Sequence, residues 1–189
     1  MFNIKRLVAS FSILFFAVSI SAAEQDISHS DFEPERLVKE ASEFFGVASE
    51  ELAKVIAKAV AEHGRPNAYI KGNETSGALG VGLRIGDGEL TTVKGVKRKV
   101  HWEGPSIGLD IGLNASKVLM LVYDLKRPDD IFQKFSGVEG SLFVVAGAGL
   151  NYLQAGDLVL APIRVGVGWR QGANVGYIKI TPPEKDGSI

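Results

Sequence analysis

The chain has 189 residues, a formal net charge of −1, 46% hydrophobic residues and no cysteine. Without cysteine it has no disulfide, no thiolate chemistry and no site for lipid attachment through sulfur. The nearly balanced charge gives no electrostatic footprint for nucleic acid. The composition therefore favours one globular domain that is held together by its core.

A targeting segment is predicted for residues 1–23. Lys5 and Arg6 precede an apolar run from Leu7 to Ile20, and Ser21-Ala22-Ala23 supplies small residues before a cleavage point. This order is typical of a signal peptide that is removed after export. A transmembrane anchor is the competing interpretation, but the run is shorter than the roughly 20 residues that span a bilayer. We expect an exported chain that does not span the membrane after cleavage.

A helical segment is predicted for residues 32–64, after a mobile lead-in at 24–31. Gly46 follows "LVKEASEFF" as a stop signal, and a second helix runs from Ser49 to Gly64. Apolar residues recur in this second helix at helical spacing and make a one-sided stripe: Leu52, Val55, Ile56, Ala59 and Val60. We expect the stripe to pack on another surface of the protein.

The hydrophobic period changes from helical to two in residues 65–181. This region holds about nine or ten short candidate strands, with a tight hairpin predicted at Gly86-Asp87-Gly88 and one short helix at 127–135. A flexible tail is predicted at 182–189. Successive strands lose their exposed edges most simply by closing into a barrel. The predicted fold is α+β, mainly β: a small closed antiparallel β-barrel covered by two N-terminal helices.

A membrane-spanning barrel is the neighbouring possibility, since export and glycine-rich strands suit both forms. However, "SKVLMLVYDL" is apolar on both faces, and the chain ends in "PPEKDGSI" rather than in an amphipathic strand. Both features favour a soluble barrel. A strand that is apolar on both faces also predicts burial inside the barrel on one side and under the helical stripe on the other.

Four polar residues share their side of a strand with glycines, whereas the opposite side is aliphatic: Arg84, Ser106, Asp110 and Arg164. The simpler interpretation is that the aliphatic side fills the barrel and the glycine side faces water or the helices. The sharper hypothesis reverses the faces and gives a polar lumen or mouth, in which an Asp–Arg cluster binds an anionic headgroup. In either case Arg84, Asp110 and Arg164 are predicted to point to the same side of the wall.

The sequence contains no specific signature of catalysis or metal binding. His29, His63 and His101 lack a second histidine or cysteine at ligand spacing. No nucleophile elbow or phosphate-binding loop occurs, and the adjacent carboxylates open helices. We therefore predict no catalytic residue, no metal site and no cofactor.

Two other classes of function remain open at this stage. One is an envelope hydrolase whose carboxylates come from Asp110, Asp157 or Glu139. The other is an adaptor that binds a protein partner through the helical segment, where Lys54 and Lys58 lie on the polar face.

The mature chain contains four ordered blocks: "GRPNAYIKGNETSGALGVGLRIGDGEL", "VHWEGPSIGLDIGLNASKVLMLVYDL", "DIFQKFSGVEGSLFVVAGAGLNY" and "GDLVLAPIRVGVGWRQGANVGYIK". They resemble the envelope integrity protein A family of Gram-negative periplasmic proteins, from about Phe32 to Thr181. The resemblance implies a conical barrel in the periplasm, a role in envelope integrity and no known catalytic residues.

A partial likeness joins "GPSIGLDIGLNASKVLMLVYDL" and "GVEGSLFVVAGAGLN" to the SYLF lipid-binding domain. This likeness implies a lipid or another envelope component as partner. The candidate ligand-binding residues are then Arg84, Ser106, Asp110 and Arg164. The oligomeric state is not predicted.

Overall fold

The computed structural model describes residues 31–108, 114–145, 147–165 and 176–183. Two helices precede the sheet: α1 (Pro34–Phe45) and α2 (Ser49–His63). The strands are β1 (Ala68–Thr92), β2 (Lys97–Gly108), β3 (Asn114–Tyr123), β4 (Lys134–Gly137), β5 (Phe143–Val145), β6 (Ala148–Leu150), β7 (Leu153–Ala155), β8 (Leu158–Val165) and β9 (Tyr177–Thr181).

The long strand β1 folds back on itself and supplies two neighbouring strands. Its first arm pairs with β3 and its second arm pairs with β2. The Val93 N–H donates to the Asn67 carbonyl (3.0 Å), which ties the two ends of the segment together. Gly72 and Gly88 approach each other so closely that a Cβ on either would collide with the opposite arm.

The strands close into a barrel. The sheet order runs β3, β1, β2, β9, β4, β7 and β8, and β8 pairs with β3 to complete the ring. With the two arms of β1 counted separately, eight antiparallel strands surround the interior, and β5 and β6 add a hairpin beside β8. The described residues confirm the predicted closed antiparallel barrel with its two N-terminal helices.

The tight hairpin predicted at Gly86-Asp87-Gly88 was wrong. These residues lie within the second arm of β1 and pair with Trp102, His101 and Val100 of β2. The glycines serve close packing here: a Cβ at Gly86 would overlap the Trp102 ring, and one at Gly88 would overlap the backbone of Lys71. In the sequence, two glycines that are needed because a strand packs closely look the same as two glycines in a tight turn.

The short helix predicted at 127–135 was also wrong in extent. A single 3-10 turn covers Pro128–Ile131, where the Asp130 carboxylate accepts hydrogen bonds from the Arg127 backbone N–H (3.1 Å) and guanidinium (2.8 Å). From Lys134 onward the chain is β4, because Phe135 is fully buried in the barrel and its backbone pairs with β9.

The two helices cover the outer face of β3 and β8. Leu52, Val55, Ile56 and Ala59 are fully buried, as the stripe predicts, and they share one apolar cluster with outward-facing residues of β3 such as Leu119 and Leu121. Residues between these on β3, such as Met120, point into the barrel core. The segment that is apolar on both faces is therefore buried on both.

Replacing Ile56 by Val is expected to lower the free energy of unfolding by about 1 kcal/mol, because it removes one methylene from a fully buried site. Chemical denaturation followed by circular dichroism measures this. The matched control is Val47→Ala in the exposed connection between the helices, which should change stability much less. Equal effects at both positions would contradict the packing of α2 on the barrel.

Candidate functional site

The barrel interior is apolar over most of its length and becomes charged near one end. On the first arm of β1 the inward positions Ala68, Ile70 and Gly72 lead to Glu74, which is 3% exposed. Arg84 on the second arm and Arg164 on β8 are 8% and 5% exposed. Three strands therefore bring one carboxylate and two guanidinium groups into the interior.

Glu74 is the centre of this cluster. Arg164 donates from Nε to Glu74 Oε1 and from Nη2 to Glu74 Oε2, both at 3.1 Å, in a bidentate pair. Arg164 Nη1 also lies 3.4 Å from Asn151 Oδ1. The indole Nε1–H of Trp102 donates to Glu74 Oε2 (3.1 Å). Both carboxylate oxygens are thus held by groups with fixed positions.

Arg84 is held less completely. Its Nε lies 3.2 Å from Glu74 Oε1, close enough for an ion pair, but that buried nitrogen makes no hydrogen bond of acceptable geometry. Within the described residues the Arg84 guanidinium has no second acidic partner. A buried donor left without an acceptor is costly, and native proteins rarely leave one without a reason.

Trp102 forms the boundary between the charged level and the apolar core. Its side chain is fully buried among residues such as Ile70 and Val100, while its N–H reaches Glu74. The ring can lie flat across the wall because Gly86, directly opposite in the register, has no side chain. The glycine-rich pattern of β1 therefore positions the polar cluster.

The electrostatics of the cluster leave an excess of positive charge. Burial and the nearby charge of Arg164 together lower the pKa of Arg84 to about 10, although the charge of Glu74 acts in the opposite direction. Burial alone would raise the pKa of Glu74, but the charges of Arg164 and Arg84 and the hydrogen bonds to the carboxylate hold it below its usual range. At neutral pH both arginines and Glu74 are charged, so the three side chains sum to one positive charge.

These positions decide which strand face points inward, and the simpler interpretation was wrong. Arg84 and Arg164 point into the barrel, whereas Leu83 and Ile85 on the aliphatic side of β1 are 53% and 41% exposed. On β8 the aliphatic side, including Ile163, packs under the helices. On the second arm of β1 the glycine side lines the interior, because the Trp102 ring occupies the space next to Gly86 and the first arm of β1 lies against Gly88.

The structure describes the side chains of only two of the four predicted ligand-binding residues. Arg84 and Arg164 meet at Glu74, and they point to the same side of the wall as predicted. Ser106 belongs to β2 and pairs with Gly82, although its side chain lies outside the described part of the structure. Asp110 lies outside the described residues, so its place relative to the arginines stays a prediction.

Sequence reasoning missed Glu74, Trp102 and Asn151. Glu74 was assigned to the connection between two strands, because the strand pattern was broken at 72 and resumed at 76. The available signal was the alternation Ala68, Ile70, Gly72, Glu74, which places a carboxylate on the inward face of a continuing strand. Asn151 carries no comparable signal in the sequence.

The residues of the alternative hypotheses lie elsewhere. Asp157 lines a surface pocket of about 410 Å³ with three further aspartates, Asp124, Asp129 and Asp130. Glu139 is exposed beyond β4, and no hydrogen bond joins it to Asp157 in the described structure. On α2, Lys54 is exposed and pairs with Glu50, and Lys58 is partly exposed and pairs with Glu62.

The described residues contain neither a metal-binding cluster nor a membrane-spanning helix. No group of three or more His, Asp or Glu side chains is arranged to hold a metal ion. No helix in the same part of the chain is long and apolar enough to cross a membrane.

Together these features define a class of protein: a small closed antiparallel barrel with a buried Arg–Glu–Arg cluster and two covering helices. The chain is similar in fold to a crystal structure of a β-barrel-like, uncharacterized protein from Brucella abortus, with a TM-score of 0.74 and 40% sequence identity over 83% of this chain and 98% of that chain. No curated protein matches the sequence. The model of the envelope integrity protein A family matches residues 30–186, and the chain belongs to that family.

Proposed function

We propose that this protein is exported to the periplasm, where it supports envelope integrity without catalysis, by holding an anionic group of an envelope component against Arg84 and Arg164. Membership of the family supports the envelope role. The predicted signal peptide at residues 1–23 supports export. The observation that carries the binding proposal is the pair of buried guanidinium groups that shares a single carboxylate.

The contacts of Arg164 and Arg84 differ, and they indicate different roles for the two side chains. All three guanidinium nitrogens of Arg164 contact Glu74 or Asn151. The main role of Arg164 is therefore to hold the Glu74 carboxylate in position. Arg84 approaches Glu74 through Nε at 3.2 Å, and this buried nitrogen donates no hydrogen bond. Guanidinium groups bind phosphate and carboxylate through paired donors. Arg84 is therefore the group that we expect to contact the ligand.

Inorganic phosphate is a suitable probe for this site, and its binding can be followed through the NMR signal of Trp102. We expect the NMR signal of the Trp102 indole N–H to shift saturably as phosphate is added, because that N–H donates to the carboxylate that the arginines share. The two indole signals of the chain are distinguished with Trp169→Phe. Arg84→Met should abolish the saturable shift.

The matched control is Arg98→Met. Arg98 is a half-exposed arginine on the same barrel, paired with Asp129, and its loss should leave the titration unchanged. Asp110→Asn tests the remaining possibility that an internal residue balances the arginines. If phosphate binds only in Asp110→Asn, Asp110 neutralises the cluster and the proposal fails.

A further inference from the structure

We propose that the uncovered outer wall of the barrel docks on the surface of an anionic phospholipid membrane. The inference concerns the outside of the wall and does not depend on an anion binding in the interior. It rests on two rows of side chains that cross β1, β2, β9 and β4 on the face that the helices leave free.

The first row is apolar. Leu83 on β1 pairs with Pro105 on β2. Pro105 lies beside Gly176, the residue that directly precedes Tyr177 and β9. Leu83 is 53% exposed and Tyr177 is 41% exposed. With Ile85, at 41%, these are among the most exposed large apolar side chains in the described residues. Tyrosine is a typical residue of the membrane interface, because its ring is apolar and its hydroxyl is polar.

The second row lies one side-chain step further along the strands and carries charge. Ile85 pairs with Glu103, Glu103 with Lys179, and Lys179 with Lys134. Lys179 lies 3.8 Å from Glu103 and is half exposed, whereas Lys134 has no acidic partner in the described residues. The Lys134 ammonium lies 3.8 Å from the centre of the Tyr177 ring, which holds this charge beside the apolar row.

This order selects a lipid surface over a second protein. A short apolar row is much smaller than the core of a stable protein interface. The exposed apolar side chains lie one row away from lysines. This arrangement suits the surface of an anionic membrane, where apolar side chains enter the interface and ammonium groups contact the lipid phosphates. The two rows carry one net positive charge, and the exposed Asp87 in the next row is paired with His101. A net positive charge favours an anionic lipid surface over a zwitterionic one.

Vesicle sedimentation of the chain from Glu24 to Ile189 tests the proposal. We expect binding to vesicles that contain phosphatidylglycerol and much weaker binding to phosphatidylcholine alone. Lys134→Gln should lower the partition coefficient about fivefold, and the double variant Leu83→Ser with Ile85→Ser should lower it about tenfold or more. Circular dichroism verifies that each variant is folded.

Two controls match these changes on other parts of the surface. Val144→Ser removes an apolar side chain of comparable exposure from β5, and Lys99→Gln removes an exposed lysine from another part of β2. Both should bind vesicles like the unchanged chain. No binding to anionic vesicles, binding that is independent of phosphatidylglycerol, or equal losses in the controls would each overturn the proposal. A dimer in sedimentation velocity that dissociates in the double variant, without vesicle binding, would assign the face to a second copy and would also overturn it.

Discussion

Replacing Glu74 by Gln is expected to destabilise the barrel by about 3–5 kcal/mol, because it leaves Arg84 and Arg164 buried together without a counter-charge. The change conserves size and keeps a hydrogen-bond acceptor for Trp102. The loss therefore measures the charge of the carboxylate rather than a cavity. Urea denaturation at neutral pH gives the difference in free energy of unfolding.

The same substitution has a defined pH dependence. The pKa of Glu74 in the folded protein lies below the ordinary value of 4.5, so its charge stabilises the protein above that value. This contribution is lost as the pH falls through the lowered folded pKa. We therefore expect the stability gap between the unchanged chain and Glu74→Gln to be full at neutral pH and to narrow in acid.

Glu89→Gln is the matched control for Glu74→Gln. Glu89 lies on the second arm of β1, but its side chain is half-exposed and pairs with exposed Lys97. The control should change stability by no more than about 0.5 kcal/mol. A Glu74→Gln variant as stable as this control would show that the buried arginines are not balanced by Glu74.

Replacing Gly72 by Ala is expected to destabilise the barrel by about 3 kcal/mol, the upper part of the range for overpacking. A Cβ at this position would lie less than 3.0 Å from the Asp87 carbonyl, the Gly88 Cα and the Trp102 ring. The two arms of β1 would have to separate, and Trp102 would lose its place beside Glu74. Thermal unfolding and the near-ultraviolet circular dichroism of tryptophan measure both effects.

Asn73→Ala is the control for the glycine substitution. Asn73 is the next residue on the same arm, but it is exposed on the outer face. We expect its replacement to leave both the melting temperature and the tryptophan signal nearly unchanged. An unchanged melting temperature in Gly72→Ala would contradict the close approach of the two arms.

The fold class was predictable because local patterns determine it. The stripe of α2 predicted a buried helix face, and the segment around Leu119 and Met120 predicted a strand that is buried on both sides. Closure followed from the number of successive strands. The details of β1 did not follow, because glycines that permit close packing at Gly86 and Gly88 carry the same signal as glycines in a turn.

The candidate site was predictable only in part. Alternation placed Arg84 and Arg164 on one face, but whether that face is concave depends on the curvature of the closed sheet, which a two-residue period does not contain. The assumption that the aliphatic side of the strand around Ile163 faces the interior failed, because the helices supply a second apolar layer outside β8. Glu74 was missed because its role depends on partners 10 and 90 residues away along the chain.

Native mass spectrometry of the protein, expressed with its predicted signal peptide and purified gently, tests the binding proposal most directly. We predict a co-purifying anionic mass that is retained in Arg98→Met and lost in Arg84→Met, with both variants folded. A mass equal to the bare polypeptide in the unchanged chain, before and after delipidation, would contradict the proposal that the barrel holds an anionic envelope component.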